Sequence, residues 1–170
     1  MSPAIRIRAM QPADLDRVVA IASSLSYAPH WAREVYVKAL DPDRSPIRVA
    51  LAAEEAGGGV AGFAIASVLP PHAELESIAV SAHLHRQGVA RRLFAELLIN
   101  LQPRRVTEIV LEVRESNLPA RALYSALGFS QLGTRPRYYA DPEENAVLLS
   151  FPVGPLQATS PPALKCPSPV

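Results

Sequence analysis

Residues 75–98, LESIAVSAHLHRQGVARRLFAELL, constrain the fold of this chain more than any other stretch. Hydrophobic periodicity changes across it from that of a strand to that of a helix. The first six residues read as a strand. From Gly88 onward, Ala90, Leu93, Leu97, Leu98 and Leu101 recur at helical spacing, which predicts a helix over residues 88–101. A loop that ends on a helix start faces the unpaired N–H groups of the first turn. An anion set there gains backbone hydrogen bonds and the positive end of the helix dipole. Gly88 lets a ligand approach the main chain, Ala90 is small enough to do the same, and Arg86, Arg91 and Arg92 add positive charge. A lone glycine does not make a dinucleotide-binding GxGxxG turn, and the GK[ST] ending of a Walker loop is absent. Taken alone, RQGVA is equally a plain loop-to-helix junction.

The remaining chain alternates strand and helix patterns, as an α/β protein does. Ile5 and Ile7 open a short strand, and Pro12-Ala13-Asp14 starts a helix with Leu15, Val18, Val19 and Ala22 inward. A second helix is expected over residues 30–40, anchored by Trp31, Val35 and Leu40. Residues 48–54 and 60–69 read as a hairpin about the glycine turn at 56–59. Residues 107–113 form a nearly continuous apolar run, as in a central strand. Pro119 suits the first turn of a helix that Gly128 ends, and residues 129–132 and 146–151 read as two closing strands. Residues 1–153 are expected to form one domain, and 154–170 a proline-rich, disordered tail.

Lys and Arg number 17 against 16 Asp and Glu, so no global field exists for gripping nucleic acid or an anionic membrane. The longest mainly apolar stretch, 60–69, is too short to span a bilayer, and the N-terminal residues lack the apolar core of a signal peptide. A cytoplasmic protein is the default expectation. A single cysteine, Cys166, excludes a disulfide framework and a cysteine-rich metal site. His30, His72, His83 and His85 form no HExxH pair, so no metal is expected; His83 and His85 read as loop histidines beside a helix start.

Glu112 lies within the apolar strand IVLEVR. A partly desolvated carboxylate there has its pKa pushed towards neutrality, which suits a general base. It reads equally as a solvent-facing strand end or as a partner of Arg114 or Arg105. Tyr124 borders the packed face of the next helix, marked by Ala120, Leu123 and Leu127. A phenol can protonate a departing thiolate, but a rim tyrosine of the core has the same pattern. Asn117, just before Pro119, reads as a helix cap or as a polar contact to a ligand entering between strand and helix.

Together these segments resemble the GNAT superfamily of N-acetyltransferases, over residues 5–153. The family motif Q/R-x-x-G-x-G/A reads HRQGVA here, with His85 in place of Gln or Arg. Within the superfamily the chain is similar to the RimI-type ribosomal-protein-alanine N-acetyltransferases. That likeness is carried by IAV at 78–80, RQGVAR at 86–91, LEVRESN at 111–117, ALYSALGF at 122–129 and RYY at 137–139. It implies a GNAT fold, a mixed central sheet of about seven strands with helices on both faces. It further implies acetyl-CoA as donor, bound by Ile78, Ala79, Val80, Arg86, Gln87, Gly88, Val89, Ala90, Arg91 and Asn117. Glu112 becomes the general base and Tyr124 the general acid of a direct transfer. Glu74 and Glu76 precede the cofactor strand and are competing bases; by strand alternation they share one face with Ile78. Tyr27, Tyr138 and Tyr139 would flank the acceptor, with Glu74 and Glu76, in loops at 25–31 and 134–144.

The implied acceptor is the N-terminal α-amine of a peptide or protein, a ribosomal protein among the candidates. Deprotonating an α-amine of pKa near 7.8 at pH 7 costs about 1 kcal/mol, against about 4.6 for a lysine, so one modest base suits the former. A GNAT acting on a small-molecule amine and a non-catalytic acyl-CoA-binding module are the alternatives. A monomer or weak dimer is expected.

Overall fold

A computed structural model describes residues 4–26 and 28–154. The expectations for Tyr27 and for a disordered tail fall on residues outside these, except Gly154. Seven strands and four helices alternate: β1 (Ile5–Ala9), α1 (Leu15–Ser24), α2 (Arg33–Ala39), β2 (Ile47–Glu55), β3 (Val60–Leu69), β4 (His72–Val80), α3 (Val89–Leu101), β5 (Glu108–Arg114), α4 (Leu118–Leu127), β6 (Ser130–Ala140) and β7 (Glu143–Pro152). The strands form one sheet in the order β1-β2-β3-β4-β5-β7-β6. All neighbours are antiparallel except β4 and β5. The expected mixed sheet of seven strands is therefore present.

Two cores follow from the two-residue period of the strands. On one face Leu51, Ala64, Leu75, Ile78, Val80, Ile109, Leu111 and Val147 pack with Leu93, Phe94, Leu97 and Leu101 of α3 and Ala120 of α4. On the other face Ala52, Phe63, Ile65 and Ala79 pack with Leu15, Val18 and Ile21 of α1 and Tyr36 of α2. Tyr36 is the true anchor of α2; it stands edge-on to Phe63 at 5.9 Å. Val35, assigned that role from sequence, is exposed, because the helix starts at Arg33 and turns the next residue inward. Trp31 packs half-buried against Tyr36.

Pairing between β4 and β5 runs only from His72↔Glu108 to Glu74↔Val110. Beyond Glu74 the two parallel strands diverge, which opens the sheet at its centre. Two irregularities shape the walls of this opening. On β4, Leu75 faces Ala66 and Ser77 faces Ile65, so Glu76 is an extra residue, a β-bulge. On β6, Arg135 pairs with Ala146 and Tyr139 with Glu144, so Pro136, Arg137 and Tyr138 arch over Asn145. Arg137 turns the corner at φ 53°, and its N–H donates to Asn145 Oδ1 at 3.1 Å.

The expected loop at 134–144 is thus mostly strand. β6 runs to Ala140 and returns through a turn at Asp141-Pro142. It is an edge strand exposed along nearly its whole length, so no apolar alternation marked it in the sequence.

Candidate active site

The strand-to-helix passage at residues 80–89 is built as its sequence suggests. A 3-10 turn at Ala82–Leu84 leads into His85, whose Nε2–H donates to the Val80 carbonyl at 2.8 Å. Arg86 and Gly88 both take left-handed backbone conformations, φ 61° and 77°, and Gly88 caps α3. Alternating hands of this kind curl successive N–H groups towards a common point, an anion-binding concavity. A Cβ on Gly88 would meet nothing within 4 Å, so conformation rather than crowding requires glycine here.

A cleft of about 730 Å³ opens against this loop, between β4, α3 and α4. Ile78, Ala79, Val80, Arg86, Gly88, Val89, Ala90 and Arg91 line it, together with His85 and Leu84. Its far wall is α4, which presents the small side chains of Ala122 and Ala126 beside Leu123 and Leu127. Ala122 and Ala126 are not among the cofactor residues expected from sequence; their i, i+4 spacing beside Leu123 and Leu127 was the available signal. Gln87 does not line the cleft; its amide donates to the His83 carbonyl. Asn117 caps α4 by accepting from the Ala120 N–H at 3.3 Å and lies outside the cleft lining. The preceding turn is held by Glu144, which accepts from Ser116 N–H and pairs with Arg114. Those bonds, Ser116 first, hold the Glu144 carboxyl below its usual range.

Tyr124 is half-buried on α4, edge-on to Phe129 at 5.7 Å, and is not among the residues lining the cleft.

On the opposite face of the sheet, Glu74, Glu76 and Glu112 come together beside the opening. Ile109, Leu111 and Val113 alternate into the α3 core, which turns Glu112 the other way. The bulge at Glu76 reverses the alternation of β4, so Ile78 packs into the α3 core while Glu74 faces away from it. The sequence reading put Glu74, Glu76 and Ile78 on one face; that holds for an unbroken strand and fails at a bulge.

The three carboxylates differ in their partners. Glu76 is held bidentately by Arg48, with contacts of 2.8 and 2.9 Å. The Glu112 side chain is 18% exposed and pairs at 3.0 Å with Arg135 of β6, not with Arg114 or Arg105. Tyr138, raised by the β6 arch, brings its hydroxyl near the same carboxylate. Glu112, as an acceptor and then as a charge, pushes the Tyr138 phenol up; burial does the same for Tyr139, with Glu112 second. The surrounding protein and then the charges of Glu76 and Glu112 raise the pKa of Glu74. Tyr138 and Tyr139 stand perpendicular at 5.2 Å, with Arg114 stacked on Tyr139. Arg48 and Arg135 were missed from sequence, because each reaches its carboxylate across intervening strands.

His83 sits 3.3 Å from Glu55, away from the cleft. Among the described residues no group of three or more His, Cys, Asp and Glu could hold a metal ion. No helix among them is long and apolar enough to cross a membrane.

Residues 16–129 match the acetyltransferase (GNAT) family model. The chain belongs to that family. It is 41% identical over 98 residues to the ribosomal protein bS18-alanine N-acetyltransferase of Escherichia coli K12. That match spans 56% of this chain and 66% of the relative, just under two thirds of the relative's length. The protein of the same description from Haemophilus ducreyi is 38% identical over 95 residues, 54% of this chain and 66% of that one. The crystal structure of the E. coli ribosomal-protein-S18-alanine N-acetyltransferase superposes with a TM-score of 0.74 at 29% identity, covering 92% of this chain and 99% of that one. The overall fold is therefore common to both.

Proposed function

We propose that this GNAT protein is an acetyl-CoA-dependent N-acetyltransferase that acts on the N-terminal α-amine of a protein or peptide, a ribosomal protein being the leading candidate. The observation that carries this reading is the cleft at the curled 85–91 loop, set beside the strand β4 whose pairing with β5 ends at Glu74↔Val110. The residues fit the donor. The loop offers inward-curled N–H groups and Arg86 and Arg91 to a pyrophosphate, and the small side chains of Ala90, Ala122 and Ala126 leave room for an extended arm. The free edge of β4 at Ile78, Ala79 and Val80 can pair with that arm as a strand would.

Acetyl-CoA supplies an acetyl group activated as a thioester. Glu112 accepts the proton of the acceptor ammonium at its carboxylate, and the amine so formed is the nucleophile. Tyr124 donates its phenolic proton to the departing sulfur. Asn117 fixes the start of the helix that carries Tyr124. Tyr138 and Tyr139 flank the acceptor, the first beside Glu112. A second reading gives the proton to Glu74, whose pKa is raised by burial and then by the charges of Glu76 and Glu112.

The likeness to bS18-alanine N-acetyltransferases supports a protein N-terminus as acceptor. Thiol release from acetyl-CoA should therefore be stimulated by peptides with a free, small first residue and not by their α-N-acetylated forms. Glu112→Gln should lower kcat at least a hundredfold, a usual loss for a general base. Full turnover in that variant with loss in Glu74→Gln would move the base to Glu74. Turnover of small amines without peptide activity would redirect the acceptor class, and acetyl-CoA binding without any transfer would leave a binding module.

A further inference from the structure

The Glu112 carboxylate already holds a cation. Arg135 reaches it at 3.0 Å from β6, and Tyr138 lies beside it three residues further on. Arg135 is the last paired residue before the arch where Pro136, Arg137 and Tyr138 stand over Asn145. The charges that act on Glu74 are those of Glu76, Glu112, Arg48 and Arg135. With Glu74 itself, three carboxylates face two guanidiniums, so this face is net negative. Arg48 is committed by its bidentate bond to Glu76. Arg135 makes a single ion pair, its guanidinium otherwise lying only 5.7 Å from the Tyr138 ring, and its side chain is 55% exposed. It is the cation of the two that can leave.

We infer that Arg135 occupies the place of the acceptor's ammonium at Glu112 and is displaced when the acceptor binds, so that acceptor affinity is set by the exchange of one cation for another. The inference rests on the reading of Glu112 as the carboxylate that meets the amine. It makes Arg135 a specificity-determining residue. A primary ammonium can take over the Glu112 contact, whereas an acylated N-terminus brings no charge to replace the guanidinium. The arch gives Arg135 room to move, because its side chain already lies largely in solvent.

The test measures binding rather than turnover, so that displacement can fail while Glu112→Gln still abolishes transfer. Full-length protein saturated with CoA is titrated by calorimetry with alaninamide, with a hexapeptide beginning with alanine, and with the α-N-acetylated hexapeptide. Arg135→Gln should tighten the two free amines by about two- to fivefold, the worth of a part-exposed ion pair. Arg135→Lys, which keeps the cation, should restore wild-type affinity, and the acetylated peptide should not discriminate among the variants. In a Glu112→Gln background, Arg135→Gln should have no further effect. Weaker or unchanged binding of the free amines in Arg135→Gln overturns the inference, as does an equal change for the acetylated peptide or no binding by any variant. In wild-type protein the Arg135 Nε–H resonance should shift on saturation with the free hexapeptide and not with its acetylated form. An unmoved resonance likewise overturns it.

Discussion

At the scale of single residues, this protein spends its strongest electrostatic contacts in two places with different purposes. Far from the cleft, Arg8 pairs with Asp14 at 2.7 Å and with Glu54 at 3.1 Å, and Asp14 also accepts from the Gln11 N–H at 2.8 Å. The Arg8 bond holds the Asp14 carboxyl below its usual range, against a smaller opposing effect of burial. A carboxyl lowered in the folded state stabilises above its unfolded pKa and loses that contribution as pH falls through the folded value. Asp14→Asn should thus cost about 2 kcal/mol at pH 7, as hydrogen bonds to charged groups do. Urea unfolding should show the gap between wild type and variant narrowing below about pH 3.8, near the unfolded pKa of an aspartate. A gap that is constant with pH would mean that packing, not charge, makes the difference. At the site, by contrast, Glu112 was visible in the sequence as a carboxylate inside an apolar strand, but its partners were not. Arg135 and Tyr138 follow it by more than twenty residues and reach it only because β6 folds back across β7. Residue type and strand pattern name a candidate; the cation beside it is a property of the tertiary fold.

At the scale of elements, the legible parts were those whose periodicity is strict. The hairpin of β2 and β3, the helix α3 and the stop at Gly128 all stand within two residues of where apolar spacing and turn chemistry put them. The parts that could not be read are those where periodicity breaks for a reason outside the segment. The β4 bulge is such a case: nothing in HAELESIAV marks Glu76 as extra, because the bulge is defined by pairing with β3. β6 is the other, an exposed edge strand with almost no buried side chain to pattern it. The 85–91 loop makes a sharper prediction. Gly88 holds φ 77°, and a Cβ there would touch nothing, so Gly88→Ala should cost only about 1 kcal/mol of stability, the strain of a left-handed alanine. Relaxing that strain would uncurl the loop and turn its N–H groups away from one another. CoA affinity measured by calorimetry should then fall tenfold or more, while the urea midpoint moves little. Unchanged affinity would remove the loop from the cofactor site.

At the scale of the molecule, the sheet is two half-sheets joined along one short seam. β1 to β4 form one antiparallel half, β5 to β7 the other, and the β4–β5 pairing ends at Glu74↔Val110. Beyond that point no strand among the described residues pairs with the edge of β4 facing β5. α3 crosses on one face, where its buried side chains join strands from both halves in a single core. A donor lying in the cleft between β4 and α4 would bridge the halves where the sheet itself does not, and ligand binding to the folded state alone stabilises by mass action. At a hundredfold excess over Kd this amounts to about 2.7 kcal/mol, or roughly 5–10 °C in unfolding midpoint for a chain of this size. The distribution of the effect matters more than its size. If CoA pairs with the free edge of β4, amide exchange should slow most at residues 75–80 and at the 85–91 loop, and next at α4. β1 and β2, already paired along their lengths, should change only as much as global stability does. A uniform slowing across all strands would mean that CoA stabilises the fold without pairing with β4. Slowing confined to residues 75–91 and α4 would make the opening in the sheet the place where the donor completes the structure.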